Sequence, residues 1–598
     1  MKIKHIFIIG IIALVASGCN KFLDRPPLTS ETDATAWTGE DNVRLYANQF
    51  YPTFFPGYGT NFSSGDVPLL GYQHSDDIVI LGNQSNFTRA VPNSGIWSMT
   101  TLRGINIMID RLENRMQDVL QPEAYAHWMG IGRFFRAFRY SQLVTQYGDV
   151  PYYDHVPSDL DLDDLYKPRT PRNEVMDAVY DDLKFAMENV RLNDGEQNVN
   201  RYIVAGFASR FALYEGTWQK YYYQDNERAK KFLDLAVEAA NMVIQSGRYD
   251  IVTDYRTLFT SQDLKGNRDV LLYRHYDAAV GVMHSIASNS NLTESLLIGP
   301  SSDLIKSFIA TDGEVWQNSD EANADNFEIS QLIQTRDSRF EASFHRNPRR
   351  TNRGSLLYIT KFLPRDVEAI VEGGSAAPDD FTGAKNTTDY PVLRYAEVLL
   401  NWIEAKAELA TIGGASVSQA DIDNSINKIR SRPLAPQAES RGVEKTAPLN
   451  LAALPQDPER DPQVSSLLWE IRRERRMEFT FEHSRIGDLE RWHKLEYMDT
   501  DANPDLLSGA WVNFPEQLPE LINNDLSVVS LNGQVTSYNG TNGDEMVGFY
   551  RHNSNNGRFP FLNQTNVNPY LAPIGRTQMD DYAAKGYVLQ QTEGWPQN

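Results

Sequence analysis

Apolar residues recur at helical spacing through much of the chain. Across residues 122–147, Trp128, Ile131, Phe135 and Phe138 fall on one face, and Gly148 stands where such a helix stops. Thr170 and Pro171 carry start signals for a second helix, whose stripe is Val175, Val179, Leu183, Ala186 and Val190. Residues 201–218 and 226–246 predict an antiparallel pair. Ala205, Ala208 and Ala212 allow close approach to Phe232, Leu233, Ala236, Ala240, Val243 and Ile244, and Gly247 closes it. Further helices are expected at 34–51, 97–119, 390–410 and 422–432.

The period fails in two places. Residues 52–96 mix Gly, Pro, Asn and Ser with Phe54, Phe55, Tyr58, Phe62 and Tyr72, and residues 250–389 carry only short strand-like pieces at 270–273 and 356–362. Long irregular segments in a folded chain are usually functional or disordered, and this ring content argues against disorder. No clean domain boundary shows. The expected body runs from 34 to 598, with a helical scaffold at 97–249 and 390–498 and an Asn- and Gly-rich segment at 499–598. The fold class is mainly α, and the helix pairs resemble tetratricopeptide units without a legible repeat signature.

One stretch sets charge against pattern. Val464, Leu467, Leu468 and Ile471 mark a helical stripe, yet the same spacing continues onto Arg475, Glu478 and Glu482 within residues 469–492. Charges on a core stripe need partners inside the fold or a ligand. The expected partners are Arg394, Glu397 and Glu404, which occupy the stripe of the 390–410 helix.

Composition narrows the choices. The 598 residues are 41% hydrophobic with a formal charge of −22, enough to build a large core and wrong in sign for nucleic acid. Residues 1–18 have the layout of an export signal: Lys2 and Lys4, an apolar run of about ten residues that is too short to span a bilayer, then Ala16, Ser17 and Gly18. Cys19, the only cysteine, follows directly and resembles the lipid-bearing residue of a bacterial lipobox, with residues 19–33 as its tether.

Motif-borne chemistry is missing. There is no HExxH, GxSxG, P-loop or GxGxxG pattern, and one cysteine rules out multi-cysteine metal sites. Asp159, Asp161 and Asp163 imitate the start of a calcium loop, but Asp164 and Thr170 replace its Gly and Glu, so a solvated acidic loop is expected. No catalytic residue, metal or cofactor is expected. The candidate ligand contacts are ring and polar residues of the two irregular regions: Tyr72, His74, Asp76 and Asp77 in the first, Arg274, Tyr276 and Trp316 in the second. Ring faces suit sugar C–H faces, and the neighbouring polar groups can bond hydroxyl pairs.

Several segments together resemble the SusD/RagB family of outer-membrane nutrient-binding lipoproteins. They are RFFRAFRYSQLVTQYGDVPYY at 133–153, RDSRF at 336–340, YPVLRYAEVLLNWIEAKAEL at 390–409, INKIRSR at 426–432, the 469–492 stretch, and the closing YLAPIG and QTEGW. Ala572 and Pro433 depart from the family pattern. The resemblance implies a helical fold of four tetratricopeptide-like pairs with a loop-built ligand face, and a lipid on Cys19 at the outer-membrane surface. It further implies service as a lid that passes oligosaccharide to a SusC-like, TonB-dependent transporter, with no catalysis. Capture of oligopeptides or glycopeptides is the alternative, and an all-helical glycoside hydrolase the third reading.

Overall fold

The computed structural model describes residues 33, 37–60, 75–84, 90–94, 98–482, 484–558, 562 and 564–597. The leader, Cys19, Tyr72 and His74 lie outside the described residues. Among those described, no helix is long and apolar enough to cross a membrane.

The scaffold begins with α1 (Glu40–Asn48), α2 (Thr100–Arg111, continued by one π turn to Met116) and α3 (Pro122–Tyr147). Pro122 fits the first turn of α3, where its missing N–H costs nothing. Gly148 ends it at φ +74, a left-handed backbone open to glycine, with its N–H bonded to Val144. The expected stripe of α3 is buried, and so are Phe134, Tyr140 and Leu143 on other faces, because Phe50, Phe54, Phe55 and Phe207 surround it.

Then come α4 (Arg172–Asn189), α5 (Arg201–Tyr221) and α6 (Asn226–Gln245). Pro171 sits one position earlier than expected, at the cap of α4, because Thr170 exchanges backbone hydrogen bonds with Val150. Asn200 and Asp225 accept backbone N–H bonds and cap α5 and α6. The α5–α6 pair is the expected hairpin. At Gly216 a Cβ would lie 2.7 Å from Leu233 Cγ, so the two helices approach at a distance that excludes a methyl group. Forcing one in costs about 1–3 kcal/mol.

Three expected helices are revised. Residues 390–394 form a strand, not the first turn of a helix, because Pro391 disfavours helical backbone at Tyr390. This segment pairs antiparallel with Val270–Arg274, and α7 (Tyr395–Ala410) follows at once. The 422–432 helix is two short ones, Gln419–Asp423 and Ile426–Arg430, broken at Ser425. The 469–492 stretch is α8 (Ser466–Glu478) and α9 (Arg485–Arg491), separated by a turn in which Phe481 takes φ +57.

The irregular half holds more order than its pattern suggests. The 356–362 piece contributes one bridge, Ile359 to Phe344, and Leu356 at its start takes φ +60. The Asn- and Gly-rich end builds an antiparallel sheet from β1 (Trp511–Asn513), β2 (Leu526–Val529), β3 (Val535–Ser537) and β4 (Val547–His552), ordered β1-β4-β2-β3. Its inward residues Val512, Val528 and Phe549 join the main core.

Candidate functional site

Helix α8 presents two sets of charges. The inward set, Glu474, Arg475 and Glu478, is buried. Arg394 reaches Glu478 at 2.6 Å and Glu482 at 2.7 Å, and Arg475 reaches Glu404 at 3.2 Å, which is the expected brace to α7. Glu397 departs from it and is held by Arg210 of α5 at 2.5 Å. Arg339 and Arg432 also converge on Glu478, at 3.1 and 3.0 Å. Burial alone would raise the Glu478 carboxyl, but Arg432, Arg394 and Arg339 hold it down at about 2. Five chain segments meet in this network.

The other set of α8 residues, Trp469, Arg472, Arg473 and Arg476, lines a cavity of about 580 Å³. This is also helical spacing, carried on the opposite stripe. The Trp469 indole N–H donates to Asp457 at 2.7 Å, and the ring meets Tyr497 edge-on with centroids 6.3 Å apart. Tyr497 donates to Asp461 at 2.6 Å. Trp316 closes another wall, its ring set at 84° against Phe327. Beneath them the Arg472 guanidinium lies over Trp492, 4.5 Å from the ring centre.

Polar groups alternate with these rings. Ser301 caps the short helix Ser302–Ser307, which projects Asp303 and Lys306 into the wall, where Asp303 pairs with Arg476 and Lys306 with Asp505, both at 2.6 Å. Asn503 donates to Asp303 at 2.8 Å. Burial would raise Asp457, yet Arg473 and the Trp469 N–H keep it below the usual carboxylate range. Rings with fixed carboxylates, amides and guanidiniums make a cavity suited to a polyhydroxylated ligand.

The sequence-selected residues divide between two places. Trp316 and Asp76 line the cavity. Asp76 is 1% exposed, clamped by Arg485 with Nε at 2.7 Å, and Asp77 accepts from Arg476 Nε at 2.7 Å. Arg476 and Arg485 hold Asp76 below the ordinary range against the effect of burial, whereas burial pushes Asp77 up. Arg274 and Tyr276 belong to a separate cluster. Arg274 bonds the Pro56 carbonyl and lies 5.3 Å from the centre of the Tyr276 ring. Tyr276, 2% exposed, donates to the Tyr58 carbonyl at 2.9 Å and packs on His284, which burial lowers to about 4.

Sequence reasoning passed over Trp469, Tyr497 and the 457–461 carboxylates. The available signal was a tryptophan on the charged stripe of α8 directly after the Pro- and Asp-rich run at 454–462. Among the described residues one group has metal-ligand spacing: His345, Glu368 and Glu372, with donor atoms within 4.8 Å. Arg256 lies 2.9 Å from Glu368 and Arg346 forks onto Glu372 at 2.9 Å, so guanidiniums already neutralise the carboxylates that would hold a cation.

A family profile described as the SusD family matches residues 358–595, and one described as starch-binding, associating with the outer membrane, matches residues 81–213. The chain belongs to the SusD/RagB family. It is similar to SusD-like protein P2 of Formosa agariphila, 26% identical over 373 residues that make up 60% of this chain and 63% of that protein. Two further SusD-like relatives align over 49% and 44% of their own lengths, so the chain matches roughly half to two thirds of each curated relative. Its SusD fold is shared with solved structures. A SusD-like carbohydrate binding protein from Bacteroides fragilis superposes with TM-score 0.61 at 16% identity, covering 91% of this chain and 99% of that one. Surface glycan-binding protein A from Bacteroides fluxus gives 0.54 at 15% identity, covering 95% and 100%. The SusD-family profile spans α7, α8 and α9, so both charge sets of α8 fall inside it.

Proposed function

We propose that this chain is a SusD-type nutrient-binding protein that captures an oligosaccharide at the cell surface. The observation that carries the reading is the α8 cavity, where Trp316, Trp469 and Tyr497 stand among hydrogen-bonding groups on a SusD fold. Indole and phenol rings offer flat apolar faces to sugar rings, and the surrounding groups fix orientation through hydroxyl bonds. The names borne by similar structures, a carbohydrate binding protein and a surface glycan-binding protein, support the same class. Trp316 is the sequence-selected residue assigned here to ligand contact. Asp76 and Asp77 serve the site by fixing Arg476 and Arg485, and Arg274 and Tyr276 secure the backbone at Pro56 and Tyr58.

On this reading Cys19 carries lipid, the protein sits at the outer membrane, and it hands ligand to a SusC-like, TonB-dependent transporter whose lid it forms. No catalysis is part of the role. The test is calorimetric titration with a panel of oligosaccharides, followed by analysis of chain length in the same samples. Binding with intact ligand is the expected result; shortened chains would make the protein a hydrolase, and binding of peptides alone would replace the ligand class.

A further inference from the structure

Resting on the carbohydrate reading, we infer that the cavity prefers an oligosaccharide bearing free amino groups. Among the described residues its lining carries eight carboxylates and five cationic side chains. Each of the five is already committed: Lys306 to Asp505, Arg473 to Asp457, Arg476 to Asp303, Arg485 to Asp76, and Arg472 to Glu408 at 3.5 Å. Arg472 is the loosest of the five, its Nε and Nη1 buried without partners, so among the described residues no cation stands free at the cavity surface to receive an acidic sugar. The cavity does have spare carboxylate.

Among the described residues Glu459 and Asp499 line the cavity without an ion pair, and Glu459 is the one beside Trp316 and Trp469. It accepts a hydrogen bond from the Gln317 amide at 3.2 Å and has no cation within ion-pair distance among the described residues. Its position is fixed from two sides. Gln317 follows Trp316, and the adjoining Asn318 amide donates to the Gln456 carbonyl at 2.6 Å; on the other side Asp457 takes the Trp469 N–H. Glu459 thus stands on the loop that joins the two indole walls. Burial, then the charges of Asp457 and Asp303, raise its carboxyl against a lowering from Lys306. An ammonium group there meets a carboxylate and aromatic faces together, the pairing that recognises organic cations elsewhere. An N-acetylated sugar offers no charge, and a uronic acid offers the wrong one.

The experiment titrates the full-length protein with glucosamine oligomers, with the same oligomers N-acetylated, and with galacturonate oligomers, at a pH where the amine is protonated and Glu459 ionised. Roughly tenfold tighter binding of the amine form is expected, weakening with added salt, with the galacturonate form weakest. Glu459→Gln should erase the amine preference, bringing the affinity of the amine form down to that of the N-acetylated form. Because Glu459 makes no ion pair among the described residues and a glutamine carbonyl can still accept from the Gln317 amide, the variant should melt like the parent. Equal binding of amine and N-acetylated forms, or a preference for the uronate, overturns this inference and leaves the carbohydrate reading standing. Failure of every oligosaccharide to bind overturns both.

Discussion

The two stripes of α8 use the same residue types for opposite ends. Inward, Glu474, Arg475 and Glu478 each meet fixed partners on other segments and are sealed from water, so their charges act as covalent-like struts. Outward, Arg473 and Arg476 are also paired, but they stand beside Trp469 and Tyr497 around open volume. The difference is in what the pairing leaves over. A balanced, buried network has nothing left to offer a ligand, whereas a cavity with rings and an unmatched carboxylate does.

The largest expected effect comes from breaking the inward set. Arg394→Met leaves Glu478 and Glu482 short of their nearest cation, and removing one member of such a network costs roughly 3–5 kcal/mol. Denaturant melts should show that loss. A variant that melts unchanged and loses ligand would move these charges to the functional side of the comparison.

Acid should weaken the inward set in a defined window. Against the effect of burial, guanidiniums hold Glu478, and Asp337 which shares Arg339 with it, at about 2, below their unfolded values. Their contribution is present above the unfolded carboxylate range and is lost as pH falls from about 4.5 toward 2. Melting temperature should therefore fall across that interval, and Glu478→Gln, already destabilised, should show a shallower fall.

On the cavity side the effect is on affinity. Trp316→Ala removes one wall and should weaken oligosaccharide binding roughly tenfold, read by calorimetry. Unchanged affinity would remove Trp316 from the contact set. The smallest effect belongs to neither region: Asp159→Asn, on the exposed acidic loop, should change stability by less than about 0.5 kcal/mol and alter binding not at all.

The regularity of the scaffold made it legible. The stripes of α3, α4, α5 and α6 are set by local spacing, and the Arg475–Glu404 and Arg394–Glu478 pairs followed from charges lying on those stripes. Tertiary pairing overrode local signals at Tyr390, where Val270–Arg274 supplies a strand partner from over a hundred residues away, and in the C-terminal sheet, whose short strands lack period. The candidate site was legible at Trp316 and little further. Its walls come from segments near 303, 316, 457, 469 and 497, and no spacing rule links them. Trp469 was visible only as an oddity, a large ring on a charged stripe.

The most direct measurement sets Trp469→Ala beside Arg475→Met and reads both melting and oligosaccharide titration on each. Trp469→Ala should bind roughly tenfold more weakly with little change in melting, and Arg475→Met should lose stability while its folded fraction keeps its affinity. Loss of affinity in both with stability intact in both would contradict the division of α8 into a frame and a binding wall.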